Sequence, residues 1–269
     1  MKKLFDKTME IITPCFCTGA ERDVAEIRAP SIRGELRWWF RALDGTREQE
    51  AEAFGSIKGS NGKGVLTENR ASILIVRVSD LRKTGKESRD IPENLQFFLK
   101  SRLQRGNNAM VPAGWSFHLQ ILQKQTTSCD DLIDLTIRSF STLGSIGLRS
   151  NWGLGAFQTE MTKLEFDHLK GELQNRGFDL FDFPVQSSAR DALDYLEEQI
   201  RTFRERQGIP KNSKNAMGFI QDNNRHASCL RRRPVALDNG KFLPTLIYSE
   251  APLGEGVKSI QSELKAYFA

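Results

Sequence analysis

Histidine and cysteine are scarce in this chain, with three His and four Cys in 269 residues. His118, His168 and His226 are scattered, Cys15-Phe16-Cys17 is an isolated C-x-C, and Cys129 and Cys229 supply no second knuckle. That excludes zinc-ligand spacing and leaves reduced thiols in a core as the expectation, with no metal and no cofactor. Long apolar runs are missing too: nothing approaches the roughly 18 consecutive apolar residues of a membrane span. The N-terminal Met1–Lys7 is charged, and Asp6, Lys7 and Glu10 interrupt any apolar signal core, so the expected location is cytoplasmic. Neither G-K-[ST] nor G-x-G-x-x-G occurs, which removes the P-loop and the dinucleotide fingerprint. With no nucleophile, cofactor or metal signature, a small-molecule enzyme has nothing in its favour.

What is present is a soluble globular composition, 39% hydrophobic and 27% charged, with a net charge of +5 and a pI near 9.0. So small an excess of cations is compatible with nucleic acid without diagnosing it, and clustering matters more. Arginines do cluster, most of all in Pro30–Arg41, P-S-I-R-G-E-L-R-W-W-F-R. Arg33, Arg37 and Arg41 recur at i, i+4, i+8 and share one helical face, while Leu36, Trp39, Phe40 and Leu43 form a buried stripe opposite. Pro30 and Ser31 stand where a helix starts, with Ser31 placed to cap free N–H groups. An exposed helix N-terminus beside Gly34 and a ladder of guanidinium forks suit a polyanion. A solvated amphipathic helix is the plainer reading of the same run, and a buried ion pair through Arg37 or Arg41 is a third.

The first 165 residues order themselves as strand (Thr8–Ile12), helix (Ser31–Leu43), strand (Ser72–Ser79), strand (Trp115–Leu122), helix (Asp130–Leu143) and strand (Gly155–Phe166). This βαββαβ order is the ferredoxin-like arrangement. Two long insertions depart from it, the Gly/Ser/Asn/Lys-rich 55–70 and the charged 84–108 with an apolar helical centre at Leu95–Leu103. The boundary is expected at 166/167, giving a first domain at 1–166 and a smaller second at 167–269. In the second, Asp191–Arg206 reads as a charged helix and 207–215 as a polar linker. Ala227–Leu237 and Phe242–Tyr248 read as strands joined at Asn239-Gly240, and Val257–Phe268 as a closing helix. Trp38, Trp39, Trp115, Phe117 and Phe140 are expected to anchor the first core.

After the second helix comes Gly144–Gly155, G-S-I-G-L-R-S-N-W-G-L-G. Its glycines let backbone approach a partner closely, Arg149, Ser150 and Asn151 add donors for phosphate or sugar, and Trp152 can stack on an unpaired base. Equally, the glycines can serve a helix C-cap and bulges, with Trp152 in the core. Arg231-Arg232-Arg233 falls on a strand, where a solvated edge is expected and one buried pairing with a carboxylate is the alternative. Arg201, Arg204 and Arg206 balance Glu197, Glu198 and Glu205 as a salt-bridged helix surface.

Several segments together resemble the RAMP superfamily, and within it the first subunit of the Cmr (type III-B CRISPR) effector complexes. They are Ile12-Thr13-Pro14, Thr18-Gly19-Ala20, the run Ile27–Leu43, Ala51-Glu52-Ala53-Phe54-Gly55-Ser56, the Gly144–Gly155 loop and Arg225-His226-Ala227-Ser228. The glycine loop departs from the family pattern at Asn151-Trp152, where a basic pair is usual. The resemblance implies an α+β chain of two ferredoxin-like (RRM-like) RAMP domains, the second reduced. It also implies a non-catalytic RNA-binding subunit that caps the guide 3′ end, engages target RNA and sits beside other RAMP subunits in antiviral defence. Partners would then be guide RNA, target RNA and those subunits, with no membrane and no small-molecule substrate. RNA contact falls to Arg28, Ser31, Arg33, Gly34, Arg37, Arg41, Gly144, Gly147, Arg149, Ser150, Trp152 and Arg225.

Two enzymatic alternatives stand beside this. Related RAMP backbone subunits cleave RNA with a metal and an Asp in the loop before the arginine helix; Asp23, near Glu21 and Glu26, is the comparable residue. An exposed charged loop is the plainer reading of these carboxylates. A guide-processing endonuclease would need a catalytic histidine, but His118 lies mid-strand among apolar neighbours and no His falls in the early loops.

Overall fold

A computed structural model describes residues 1–57, 69–93, 95, 96, 99, 109–159, 161–210, 214–221, 224–226, 228–251 and 257–268; for 219–221 and 224–226 the description is of backbone. The chain is α+β. A four-stranded antiparallel sheet has the order β2-β3-β1-β4, from β1 (Lys2–Ile11), β2 (Leu74–Ser88), β3 (Ala113–Gln123) and the two-residue β4 (Phe157–Gln158). A second sheet, ordered β5-β9-β8, holds β5 (Asp179–Asp182), β8 (Leu230–Ala236) and β9 (Phe242–Tyr248), again antiparallel. Between them in sequence lies a small ribbon of β6 (Phe219–Gln221) and β7 (Asn224–His226).

Alternation decides which face of the first sheet is covered. Met9 and Ile11 of β1 and Phe117, Leu119 and Ile121 of β3 are buried at period two. Onto that face pack α1 (Ala29–Ala42), through Ile32, Leu36, Trp39 and Phe40, and α3 (Asp130–Leu143), through Ile133, Ile137 and Phe140. Trp39, Phe117 and Phe140 are fully buried as expected; Trp38 and Trp115 are half-buried at its margin. β2 runs on to Ser88 past the expected end at Ser79. An irregularity between Ser79 and Arg82, with Asp80 at φ 54°, shifts the register so that the strand keeps pairing with β3. Residues 84–88 of the expected insertion are therefore a sheet extension, Ile91, Leu95 and Leu99 cover a satellite core with Phe16, Met110 and Leu154, and most of the expected helical centre Leu95–Leu103 lies outside the described residues.

Two helices correct the sequence reading. The expected strand Gly155–Phe166 stops after Gln158, and α4 (Lys163–Gln174) begins instead. Thr162 accepts from the Glu165 N–H at 3.1 Å while the Glu165 carboxylate accepts from the Thr162 N–H at 2.8 Å. The expected boundary at 166/167 thus falls inside a helix. One hydrophobic cluster crosses it, joining Phe166, Leu169, Phe178, Val235 and Ile247 to the first core, and Trp39 stacks on Phe178 at 5.6 Å. Likewise α2 (Arg47–Phe54), unexpected as an element, opens on a capping box between Thr46 and Gln49. The second half is completed by α5 (Ala189–Arg206), along which Ala192, Leu196, Ile200 and Phe203 are buried, and by α6 (Gln261–Phe268). Among the described residues no helix is long and apolar enough to cross a membrane.

Candidate nucleic-acid interface

The arginine helix starts two residues earlier than its sequence suggests. Arg28 is the N-cap and gives no side-chain capping bond, so Ser31 lies within the first turn and is not the cap. The Ser31 hydroxyl instead accepts from the Cys17 thiol at 3.6 Å. Cys17 is drawn down to about 6 by a hydrogen bond from Cys15, helped by Ser31 and the Arg28 N–H; Cys15, buried and acting as donor, is pushed up. Gly34 is exposed, and nothing lies within 4 Å of where a Cβ would be.

The ladder divides into a brace and an exposed end. Arg33 donates to the carbonyl of Phe54, and Arg37 to the carbonyl of Gly55 at 3.1 Å, so both hold the C-terminus of α2. Arg37 Nε also donates to Glu50 Oε1 at 2.7 Å, and Arg41 Nη1 reaches the same oxygen at 3.2 Å. Burial, with Arg37 alongside, lowers Arg33 from the usual guanidinium value. Arg41 keeps 55% of its side chain in solvent against 35% for Arg37. Arg28 is exposed at the helix start, 2.9 Å from Glu26. Asp23 is exposed in the same loop, and among the described residues no three His, Cys, Asp or Glu gather as a metal site.

The glycine loop folds back along Pro14–Cys17. Leu148 N–H donates to Phe16 O, Gly155 N–H to Pro14 O and Ile146 N–H to Gly155 O, at 2.9–3.0 Å. Thr13 stitches the far side, donating to Gly153 O at 2.7 Å and accepting from Ala156 N–H at 2.8 Å. Gly147 is required for this approach: at φ 89° a Cβ would lie 2.6 Å from Phe16 O. The bend places Gly147, Leu148, Arg149, Ser150, Asn151 and Trp152 at the surface or half-buried, whereas Gly144 is buried where α3 ends and has the role of a cap. Trp152 is half-buried against the satellite core, with Arg149 and Arg232 lying over its ring at 5.6 and 4.5 Å. Because Phe16 holds the glycine loop and Cys17 meets Ser31, one short segment brings the loop and the α1 N-terminus together. Arg225 lies on β7, and its side chain is outside the described residues.

The triplet on β8 is not a solvated edge. Arg231, Arg232 and Arg233 are all buried, because α1, α3 and α5 cover both faces of that edge strand. Arg231 pairs with Glu35 at 3.2 Å and lies 3.4 Å over Trp38. Arg232 pairs with Glu197 at 2.8 Å. Among the described residues Arg233 pairs with no carboxylate; it donates to Thr142 O at 3.1 Å and to Phe157 O, and burial draws it down to about 9. Alternation along a strand foretells the directions, Arg231 and Arg233 toward the first half and Arg232 toward α5, but not the burial. His118 is bonded to Asp6 across the sheet at 2.7 Å.

Comparison with known proteins places this geometry. The family model described as RAMPs, the RAMP superfamily, matches residues 8–158. Two Pyrococcus furiosus proteins are similar in sequence. The CRISPR system Cmr subunit Cmr1-1 is 29% identical over 151 residues, 51% of this chain and 41% of that protein. Cmr subunit Cmr1-2 is 25% identical over 190 residues, 60% of this chain and 96% of that one. The aligned region thus spans under half the length of Cmr1-1. In structure, apo Cmr1 from Pyrococcus furiosus superposes with a TM-score of 0.57 at 22% identity, covering 91% of this chain and 87% of the other. A chain of the type III-B Cmr-β complex bound to cognate target RNA gives 0.53 at 11% identity, covering 93% and 94%.

Proposed function

The chain belongs to the RAMP superfamily, and on that premise we propose that it is a non-catalytic RNA-binding subunit of a type III-B CRISPR ribonucleoprotein. In this reading it caps the guide 3′ end, engages target RNA and packs against other RAMP subunits, as its likeness to Cmr subunits suggests. The fold reading is two ferredoxin-like RAMP units. The first sheet's order β4-β1-β3-β2 supports the first unit. The second half runs β5, α5, β8, β9, α6 with order β5-β9-β8, which supports a reduced copy lacking its last strand.

The observation that carries the proposal is the meeting of an exposed helix N-terminus with a glycine loop through Phe16 and Cys17. The exposed start of α1 with the Arg28 guanidinium, and the donors of Gly147–Ser150, flank the Phe16–Cys17 segment, and the exposed Arg41 adds a guanidinium at the far end of the helix. Such a strip binds phosphates without reading sequence. Arg33 and Arg37 act through α2, holding the strip rigid. Asp23 takes no chemical part.

The test is binding of single-stranded RNA by the whole chain across a salt series, with magnesium present and absent. Affinity falls with salt, and Arg28→Ala/Arg41→Ala flattens the log–log slope by roughly 1.4, two phosphate contacts' worth. RNA stays intact throughout. Magnesium-dependent cutting abolished by Asp23→Ala would overturn the non-catalytic reading, and salt-insensitive binding would remove the phosphate strip.

A further inference from the structure

The two sheets differ at one place in their order. In the first, β1 lies between β3 and β4, antiparallel to both. In the second, β5 pairs with β9 along its whole length, from Asp179 opposite Tyr248 to Asp182 opposite Thr245. Among the described residues no strand pairs with its other edge. Alternate residues of an antiparallel strand turn both N–H and C=O to the same side, so half of the backbone groups of β5 face that free edge.

This edge is the floor of a groove of about 320 Å³, walled by Lys170 and Gln174 of α4 and by Lys265 and Phe268 of α6. Side chains of β5 alternate between the walls. On the α4 side Asp182 is held by Lys170, with Lys163 at 3.5 Å. On the α6 side Asp179 accepts from Gln261 at 2.8 Å and pairs with Lys265 at 3.1 Å. Charge on an edge strand ordinarily deters further pairing, but both of these carboxylates are tied to the helices. Between them Leu180 is buried in the main core, and Phe181 is half-buried with its ring 5.4 Å from that of Phe268. The lining charges cancel, two lysines against two aspartates, and leave an aromatic wall on one side.

We propose that this groove takes one extended segment of a partner protein, uncharged and apolar at every second position, added to β5 as a fourth strand and antiparallel to it as β4 is to β1. Backbone bonds to β5 give the affinity. Selectivity comes from alternate side chains, one set against Phe181 and Phe268 and the other toward Lys170 and Gln174. A charged segment is disfavoured, because each charge of the lining is already matched and the newcomer would lose its hydration without a counterion. A second copy does not fit through the same strand: its own β5 is walled by the same two helices and cannot reach this floor. The groove is a protein-docking site in addition to the RNA-binding reading, and needs no RNA to be tested.

The experiment titrates the full chain with a fluorescent hexapeptide alternating valine and threonine. Two N-methylated forms, one at the valines and one at the threonines, keep every side chain and block opposite backbone edges. The unmodified peptide binds, and only one of the methylated forms is weaker, by about tenfold or more, since N–H direction and side-chain direction alternate together along a strand. In the complex, hydrogen exchange slows at the outward amides of Asp179–Asp182. Replacing the threonines of the peptide by glutamate weakens binding. Gln174→Trp, which fills the groove from an exposed position on its wall, does the same, with a melting curve to check the fold. Equal affinity of the two methylated forms, protection away from β5, tighter binding of the glutamate peptide, or no binding at all overturns the inference. Protection of the same amides without peptide, rising with protein concentration alongside a dimer in sedimentation, gives the groove to a second copy and overturns the partner assignment.

Discussion

Glu50 Oε1 is shared by two arginines that do different work, and exposure separates them. Arg37 holds both Glu50 and the Gly55 carbonyl from a half-buried position. Arg37→Ala leaves to Arg41 alone a carboxylate that is only 10% exposed and takes away one of two arginine bonds on the end of α2, lowering stability by about 2 kcal/mol in urea unfolding. Arg41→Ala loses one contact in solvent, changes stability by less than about 0.5 kcal/mol, and flattens the salt dependence of RNA binding by roughly 0.7. The converse result, with Arg37 carrying the salt slope and Arg41 the stability, would contradict the division. The ladder's common face was legible from its spacing. A brace through Arg37 or Arg41 was among its readings, but the partners were not, since α2 and Glu50 are remote in the pattern of the helix itself. Cys17 adds a pH dependence of known sign. Its folded thiol titrates near 6 against 9 when unfolded, so the unfolded chain binds more protons between those values and stability climbs from pH 6 to 9. Cys15, raised in the fold, reverses the trend above 9. Cys17→Ser should flatten the climb in denaturation midpoints measured across that range.

Elements with strong periodicity and clean borders were readable, and those set by capping were overlooked. Asp130–Leu143 and Phe242–Tyr248 have the observed limits, one from an apolar 3.6 repeat behind two aspartates, the other from β-branched and aromatic residues after Asn239-Gly240. By contrast Phe157, Met161, Leu164 and Phe166 invite a strand, and Leu164 is in fact two-thirds exposed on α4. The deciding signal is T-x-x-E at Thr162–Glu165, a local pattern that outweighs loose alternation. Thr162→Ala removes the acceptor for the Glu165 N–H and should cost about 1 kcal/mol. Because Phe166, Leu169 and Leu173 pack into the main core, that cost should appear in global unfolding; a loss confined to fraying of α4 by hydrogen exchange would show the helix to be peripheral.

On the scale of the whole molecule, β8 is the fastener. Arg231 reaches α1, Arg233 reaches the end of α3 and β4, and Arg232 reaches α5 and the glycine loop, so one strand ties the two sheets and the candidate interface together. No triplet of arginines announces this in a sequence, because burying guanidiniums depends on acceptors as far off as Glu35 and Thr142. Removing one partner of a buried charged contact leaves the other exposed to a medium that cannot solvate it, a loss of about 3–5 kcal/mol. Arg233 is the extreme case, 1% exposed and bonded, among the described residues, to two carbonyls. Tryptophan supplies an independent readout, since Trp38, Trp39, Trp115 and Trp152 all precede α4. In the wild-type chain, tryptophan fluorescence and far-ultraviolet circular dichroism should therefore report one coincident urea transition, as a core shared by both halves requires. Arg231→Ala/Arg233→Ala should move the transition to lower urea and pull the two probes apart, the second half losing its structure first. Probes that stay coincident in the double variant, at an unchanged midpoint, would mean that Trp39 on Phe178 and the shared apolar core couple the halves without help from the arginines.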